Sequence, residues 1–171
     1  MPTSKKPRKQ MQQAKKSSGS ADLTPDLPDR RAMESYLRNL DGRSVEGALN
    51  KAQNLMYKAW EARDTPSAVT LAKRAIKTSP LCADAYVLLA EWTATSRGDA
   101  KRLYELALKA GEMALGPDGF KEYAGHFWGF LETRPYMRAR AGLAQALWDE
   151  GNHAETVNHY RGMLDLNPGD N

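Results

Sequence analysis

The fold is decided by a stretch near the end of the chain. Residues 136–168 read YMRARAGLAQALWDEGNHAETVNHYRGMLDLNP. Apolar residues recur there every three to four positions in two runs, Gly151-Asn152 separates the runs, and Pro168 ends the second. Such spacing indicates amphipathic helices, and a Gly-Asn pair marks a tight connection. The stretch therefore predicts two helices, 135–150 and 153–166, folded back on one another.

The same pattern occurs earlier in the chain. When residues 48–80 are aligned with residues 136–168, Leu55 falls on Leu143 and Pro80 on Pro168. Residues 83–117 fit the same frame with a longer second helix. The period is about 34 residues, so the pattern resembles the tetratricopeptide repeat. The prediction is an all-α fold, a tetratricopeptide-like α-solenoid of antiparallel helix pairs joined by short connections.

The helical domain is expected to span residues 29–171. It begins with a helix that Asp29 caps and that carries Met33 and Leu37 on one face. Sustained alternation of apolar and polar residues is absent from the sequence, so no strand is expected. The domain comprises three repeat units, which are residues 48–80, 83–117 and 136–168. One additional helix, residues 119–131, is inserted between the second and third units.

The chain of 171 residues has a net charge of +4 that is concentrated at its N-terminus. Outside the first 20 residues the chain has 19 basic and 21 acidic residues, so the domain itself is not basic. The polar segment 1–28 has too few apolar side chains to bury, so we predict a disordered tail. Its charge would suit a solubilising arm, a nuclear-import signal, or docking to RNA or a ribosome. The basic residues of this tail are Lys5, Lys6, Arg8, Lys9, Lys15 and Lys16.

The sequence contains little that could support catalysis or bind a cofactor. It has one cysteine, Cys82, three histidines, no glycine-rich phosphate loop and no HExxH pair. We therefore predict a protein that is not an enzyme and has no metal or other cofactor. A lone cysteine is typical of a reducing compartment, which favours the cytoplasm. No apolar run reaches the length of a membrane span.

The first helix of each pair is expected to line the concave side of the solenoid. Several residues predicted on that side are tyrosine, tryptophan or arginine, the types that dominate interface energies. We expect this groove to bind a peptide or helix of a protein partner, so the predicted function is a non-enzymatic scaffold. The alternatives are a solvated groove without a ligand and an RNA- or ribosome-associated factor. The predicted groove residues are Gln53, Tyr57, Trp60, Glu91, Arg138, Gln145 and Trp148, with Asp84 beside them.

The most distinctive sequence lies between the second and third units. Residues 126–140 read HFWGFLETRPYMRAR and are marked by His126, Trp128, Arg134 and Tyr136. Here Phe127 is expected in the core and Trp128 on the surface. The run, with residues 55–60 (LMYKAW), resembles the suppressor-of-tumorigenicity-seven family and its bacterial tetratricopeptide relatives over about residues 45–171. That resemblance implies a scaffold without an established reaction. Animal members are membrane-anchored, and no span of this sequence matches their anchor.

The last predicted helix has an apolar face with no obvious cover. Val157, Tyr160 and Leu164 lie at helical spacing on it. Exposed apolar patches promote association. We therefore predict weak self-association of the chain.

Overall fold

A computed structural model describes residues 27–169, and all regular secondary structure in that range is helical. The all-α prediction is confirmed. The predicted properties of the basic tail concern residues that lie outside this range, apart from residues 27 and 28. The helices are α1 (Arg30–Asn39), α2 (Gly42–Trp60), α3 (Thr65–Thr78), α4 (Ala83–Thr93), α5 (Arg97–Glu122), α6 (Arg134–Asp149) and α7 (His153–Leu166).

The first three helices begin at an aspartate that caps them. The side chain of Asp29 accepts a hydrogen bond from the Ala32 amide at 2.9 Å, and Asp41 and Asp64 do the same for the residues three positions on. Each bond satisfies an amide that has no partner within its helix. The donors to Asp41 and Asp64 are Ser44 and Ser67, whose hydroxyls donate to the carboxyls as well as their amides. These bonds lower the pKa of Asp41 and of Asp64.

The helices from α2 to α7 pack in chain order. Each contacts the next, α2 also contacts α4, and α4 also contacts α6. Connections of three or four residues separate α2 from α3, α3 from α4, α4 from α5 and α6 from α7. Such short connections require neighbouring helices to run nearly antiparallel. Residues 81–90, which include most of α4, are all buried, so α4 is the centre of the main core.

The first helix packs away from its neighbour in sequence. Only Leu40 and Asp41 separate α1 from α2, yet α1 packs against α5. Met33 is its fully buried side chain, with Tyr36 and Leu37 half-buried beside the main core. The N-terminal helix therefore covers a surface formed by residues about 70 positions later in the chain.

The helix predicted over residues 119–131 is wrong beyond Glu122. The helical segment α5 is kinked at Gly116, which has a φ of 60°, and it ends at Glu122. Residues 123–133 form turns instead. In this loop the amides of Gly125 and Phe127 donate to the carbonyl of Leu166, at the end of α7, and so they are not available for a helical ladder. Gly125 has a φ of 89°, a conformation that glycine adopts readily.

The 123–133 loop surrounds a second, aromatic core. Phe127 is completely buried, and the Tyr136 ring lies edge-on to Phe120 with centroids 5.0 Å apart. The hydroxyl of Thr133 donates to the carbonyls of Phe127 and Phe130. Met163 of α7 completes the cluster. The loop thus joins α5, α6 and the end of α7.

Candidate protein-binding face

A buried carboxylate connects α2, α4 and α6. The side chain of Asp84 on α4 is fully shielded from solvent. Arg138 of α6 donates to both of its oxygens, Nε to Oδ1 at 2.8 Å and Nη2 to Oδ2 at 2.7 Å. Gln53 of α2 donates its amide to Oδ2 at 2.9 Å. Three residues from three helices, all predicted on the groove, are therefore in direct contact.

The surroundings of Asp84 satisfy the hydrogen-bonding capacity of its side chain. Asp84 lies in the first turn of α4, where unpaired backbone amides attract negative charge. A bidentate guanidinium and an amide satisfy the carboxylate, as a buried charge requires. The Arg138 side chain keeps 36% of its surface exposed, so it lies at the boundary between core and solvent. The Asp84–Arg138 pair therefore fixes the position of α6 relative to α4.

Two aromatic side chains lie over this pair. The Arg138 guanidinium carbon is 5.5 Å from the centroid of the Trp60 ring, and Tyr57 is 5.8 Å from Trp60, centroid to centroid. Trp60 remains 43% exposed and Tyr57 is similar. A cation above the face of tryptophan is attracted by the ring electrons. The aromatic pair is thus held in place while a large part of its surface faces solvent.

Glu91 and Gln145 lie two helical turns further along the same faces of α4 and α6. Burial raises the pKa of Glu91, the charge of Asp84 raises it further, and Arg138 acts in the opposite direction. Gln145 donates to Asp149 at 2.9 Å and lines a shallow pocket of about 190 Å³ with Tyr104. Burial raises the pKa of Tyr104 to about 12, with a contribution from the charge of Glu91. This end of the face is polar.

Trp148 lies about one turn beyond Gln145 on α6. Its ring contacts that of His153 at the start of α7, with centroids 4.1 Å apart and planes tilted by 52°, and it is exposed. The structure therefore brings together Gln53, Tyr57, Trp60 and Arg138, with Glu91 and Gln145 further along. The central role of Asp84 was missed by sequence reasoning. The available signal was one acid in the first turn of α4, directly before the six apolar residues 85–90.

The residues of the distinctive run hold the 123–133 loop in place. The Trp128 amide donates to Asn167 Oδ1 at 3.1 Å, and Arg134 Nε donates to the Trp128 carbonyl at 2.9 Å. The predicted exposure of Trp128 is wrong, because its ring packs half-buried against the aromatic core, whereas Phe130 and Leu131 are exposed. Tyr136 is buried, and His126 is exposed on the loop.

Between residues 27 and 169, no group of three or more His, Cys, Asp or Glu side chains could hold a metal ion. No helix in the same range is long and apolar enough to cross a membrane. Cys82 is buried beneath Gln53, and burial, with the nearby charge of Asp84, raises the pKa of its thiol to about 12.

Comparison with known proteins gives one family. The model of the ST7 protein family matches residues 44–123, which include nearly all of α2 to α5. The resemblance to this family is confirmed over those residues. The human Suppressor of tumorigenicity 7 protein-like is 47% identical over 64 residues, which are 37% of this chain and 11% of that protein. The corresponding cattle protein is 47% identical over 64 residues, covering 37% and 12%.

Another relative, with a different name, has a lower sequence identity. Suppressor of tumorigenicity 7 protein of Macaca fascicularis is 34% identical over 86 residues, covering 37% of this chain and 16% of that protein. The match to the cattle protein spans 12% of its length, about an eighth. No solved structure matches the chain.

The confirmed similarity is narrower than the sequence analysis predicted. The predicted extent was about residues 45–171, whereas the family model stops at Tyr123. The matched region contains residues 55–60 and the buried Asp84, but it ends before the run of residues 126–140. The similarity therefore includes the α2 and α4 parts of the candidate face and leaves out Arg138.

Proposed function

We propose that this chain is a non-enzymatic scaffold that binds an extended peptide or a helix across the face formed by α2, α4 and α6. We place it with the ST7 proteins and their bacterial relatives, with its helix pairs stacked as a tetratricopeptide-type solenoid. The contacts of α2 with α4 and of α4 with α6 support this arrangement, because a solenoid brings the first helices of successive pairs side by side. The expected location is the cytoplasm.

The observation that carries the proposal is the fixed and exposed aromatic pair Tyr57 and Trp60. Binding is weakened when side chains must be ordered on contact. Here Arg138 holds Trp60, and the buried Asp84 holds Arg138, so the pair is ordered before a partner arrives. Tyrosine, tryptophan and arginine in a partly desolvated cluster are the usual centre of a protein interface.

Affinity capture with matched variants tests the proposal. Trp60→Ala should lose the captured partners, whereas Trp92→Ala should retain them. Trp92 is a suitable control because it is 42% exposed, almost as much as Trp60, and lies eight residues after Asp84 on α4. Partners that bind equally well to Trp60→Ala, Tyr57→Ala and the unaltered chain would show that this face is not the binding site.

The same experiment separates the alternative function. An RNA- or ribosome-associated factor would bind through the basic tail, and deletion of residues 1–28 would abolish capture. Such binding weakens steeply as salt is raised. Binding releases counterions from the nucleic acid, and their release is less favourable when the salt concentration is already high. Capture that survives deletion of the tail and responds to Trp60→Ala supports the scaffold. Capture that needs only the tail supports the alternative.

A further inference from the structure

The candidate face carries a carboxylate, Glu91 of α4, that is exposed to solvent. Within residues 27–169 no group forms a hydrogen bond or an ion pair with it. Burial of part of its surface raises the pKa of Glu91, and the charge of Asp84 raises it further. A cation beside Glu91 would lower that pKa again, and so it would stabilise the charged carboxylate.

Two other carboxylates of the face lie with cations. Both oxygens of Asp84 accept hydrogen bonds from Arg138, so these two charges are paired. Asp149, at the end of α6, lines a shallow pocket together with Arg97 of α5. Glu91 differs from both, because the described part of the chain supplies no cation in contact with it.

Glu91 lies at the height of the exposed tryptophan of the face. The helices α2 and α4 are each antiparallel to α3, so they run parallel to one another. Gln53 of α2 contacts Asp84 of α4, and two helical turns later Trp60 and Glu91 occupy equivalent positions on the two helices. The Arg138 guanidinium, 5.5 Å from the Trp60 centroid, also acts on the charge of Glu91. The carboxylate and the exposed part of the Trp60 ring therefore border the same part of the face.

On the basis of the proposed function, we propose that the bound segment of the protein partner presents a lysine or arginine that pairs with Glu91 and contacts the exposed part of the Trp60 ring. A carboxylate attracts such a cation, and so does the face of an aromatic ring. Arg138 already makes a contact of this kind with Trp60 from within the domain. Acidic segments and the phosphates of a nucleic acid have the wrong sign of charge for this position. Glu91 thus selects among the segments that the aromatic pair would otherwise accept.

Selection of peptides from a random display library against the full chain tests this pairing. The peptides to be scored are those whose binding Trp60→Ala weakens, and we expect them to be enriched in lysine or arginine. Against Glu91→Lys the enrichment should shift to aspartate or glutamate, whereas against Glu132→Lys it should remain basic. Glu132 is a suitable control because it is exposed on the 123–133 loop, outside the face. Circular dichroism would establish that the variants are folded.

A double-mutant cycle with one recovered peptide measures the pairing directly. Glu91→Gln should weaken binding about fivefold, the effect of losing one partly exposed ion pair. Replacement of the basic residue of the peptide by alanine should then cost less affinity in Glu91→Gln than in the unaltered chain. Salt should also weaken binding less in Glu91→Gln, because the screened attraction is gone.

The possible outcomes separate this pairing from the proposed function. Peptides that need Trp60 but are not enriched in basic residues would overturn the pairing and leave the scaffold function in place. So would basic peptides that bind Glu91→Lys as tightly as the unaltered chain. If no recovered peptide depends on Trp60, the proposed binding face is itself wrong, and the pairing is wrong with it.

Discussion

Asp84 is a carboxylate withdrawn from solvent, and one guanidinium supplies its opposite charge. A buried ion pair of this kind adds little when compared with apolar residues of the same volume, but the loss of one partner leaves a charge in the core. Gln53 can satisfy one oxygen and cannot compensate the charge. The stability of the α2–α4–α6 contact therefore depends on Arg138 more than its partial exposure suggests.

Arg138→Met should lower the free energy of unfolding by about 3 kcal/mol, because it isolates the Asp84 carboxylate. Denaturant unfolding followed by circular dichroism measures this. Arg30→Met is the control: its pair with Glu34 is exposed on α1, and its loss should have little effect on stability. Adding Asp84→Asn to Arg138→Met should restore part of the stability. An equal loss in both single variants would show that the buried pair has no special role.

His159 gives the protein a pH dependence. Burial lowers its pKa below the usual 6.5, and the charge of Arg140 lowers it further, whereas Glu155 and Glu112 act in the opposite direction. The folded protein therefore holds His159 neutral at a pH where the unfolded chain takes up a proton. By linkage, the free energy of unfolding should fall as the pH drops below about 6.5.

His159→Gln should make this dependence shallower between about pH 7 and pH 5, since the group that binds the extra proton on unfolding is gone. The measurement is denaturant unfolding at a series of pH values. His126→Gln, on the exposed part of the 123–133 loop, is the matched control and should leave the slope unchanged. A slope that His159→Gln does not alter would contradict the assignment.

Helices were predictable from sequence where local signals determine them. The caps Asp29, Asp41 and Asp64 and the turn at Gly151 lie where such residues are expected, and the helix boundaries follow within a few residues. The 123–133 loop was not predictable, because its amides bond to Leu166, about 40 positions away. Similarly, a burial pattern can place Asp84 on a face but cannot identify Arg138 as its partner.

Two helical glycines, one in α6 and one in α2, should respond in opposite ways to substitution by alanine. A Cβ at Gly142 of α6 would lie 2.1 Å from Tyr104 Cε1 of α5, whereas a Cβ at Gly47 of α2 would have nothing within 4 Å. Gly142→Ala should separate α5 and α6 and destabilise the fold by about 1–3 kcal/mol. Gly47→Ala should stabilise it by about 0.5–1 kcal/mol, because alanine favours helix. Denaturant unfolding of both variants checks the pair, and equal effects would contradict this packing.

The whole molecule controls access to its one cysteine. Cys82 is completely buried in the core around α4, and burial raises the pKa of its thiol to about 12, so at neutral pH almost no thiolate is present. Modification of Cys82 should therefore require opening of the core. Its labelling rate should rise with denaturant and be faster in Arg138→Met. Trp92→Cys is the exposed control. Rapid labelling of the native, unaltered chain would show that the core opens locally at Cys82.

The docking of α1 on α5 also has a consequence during synthesis. This helix leaves the ribosome before the residues of α5 that it packs against, so for several seconds it has no native surface there to bind, given elongation at roughly 5–20 residues per second. In that interval Met33 and Leu37 are available to chaperones or to other nascent chains. The docking of α1 on α5 should be among the last steps of folding, after the central helices have assembled.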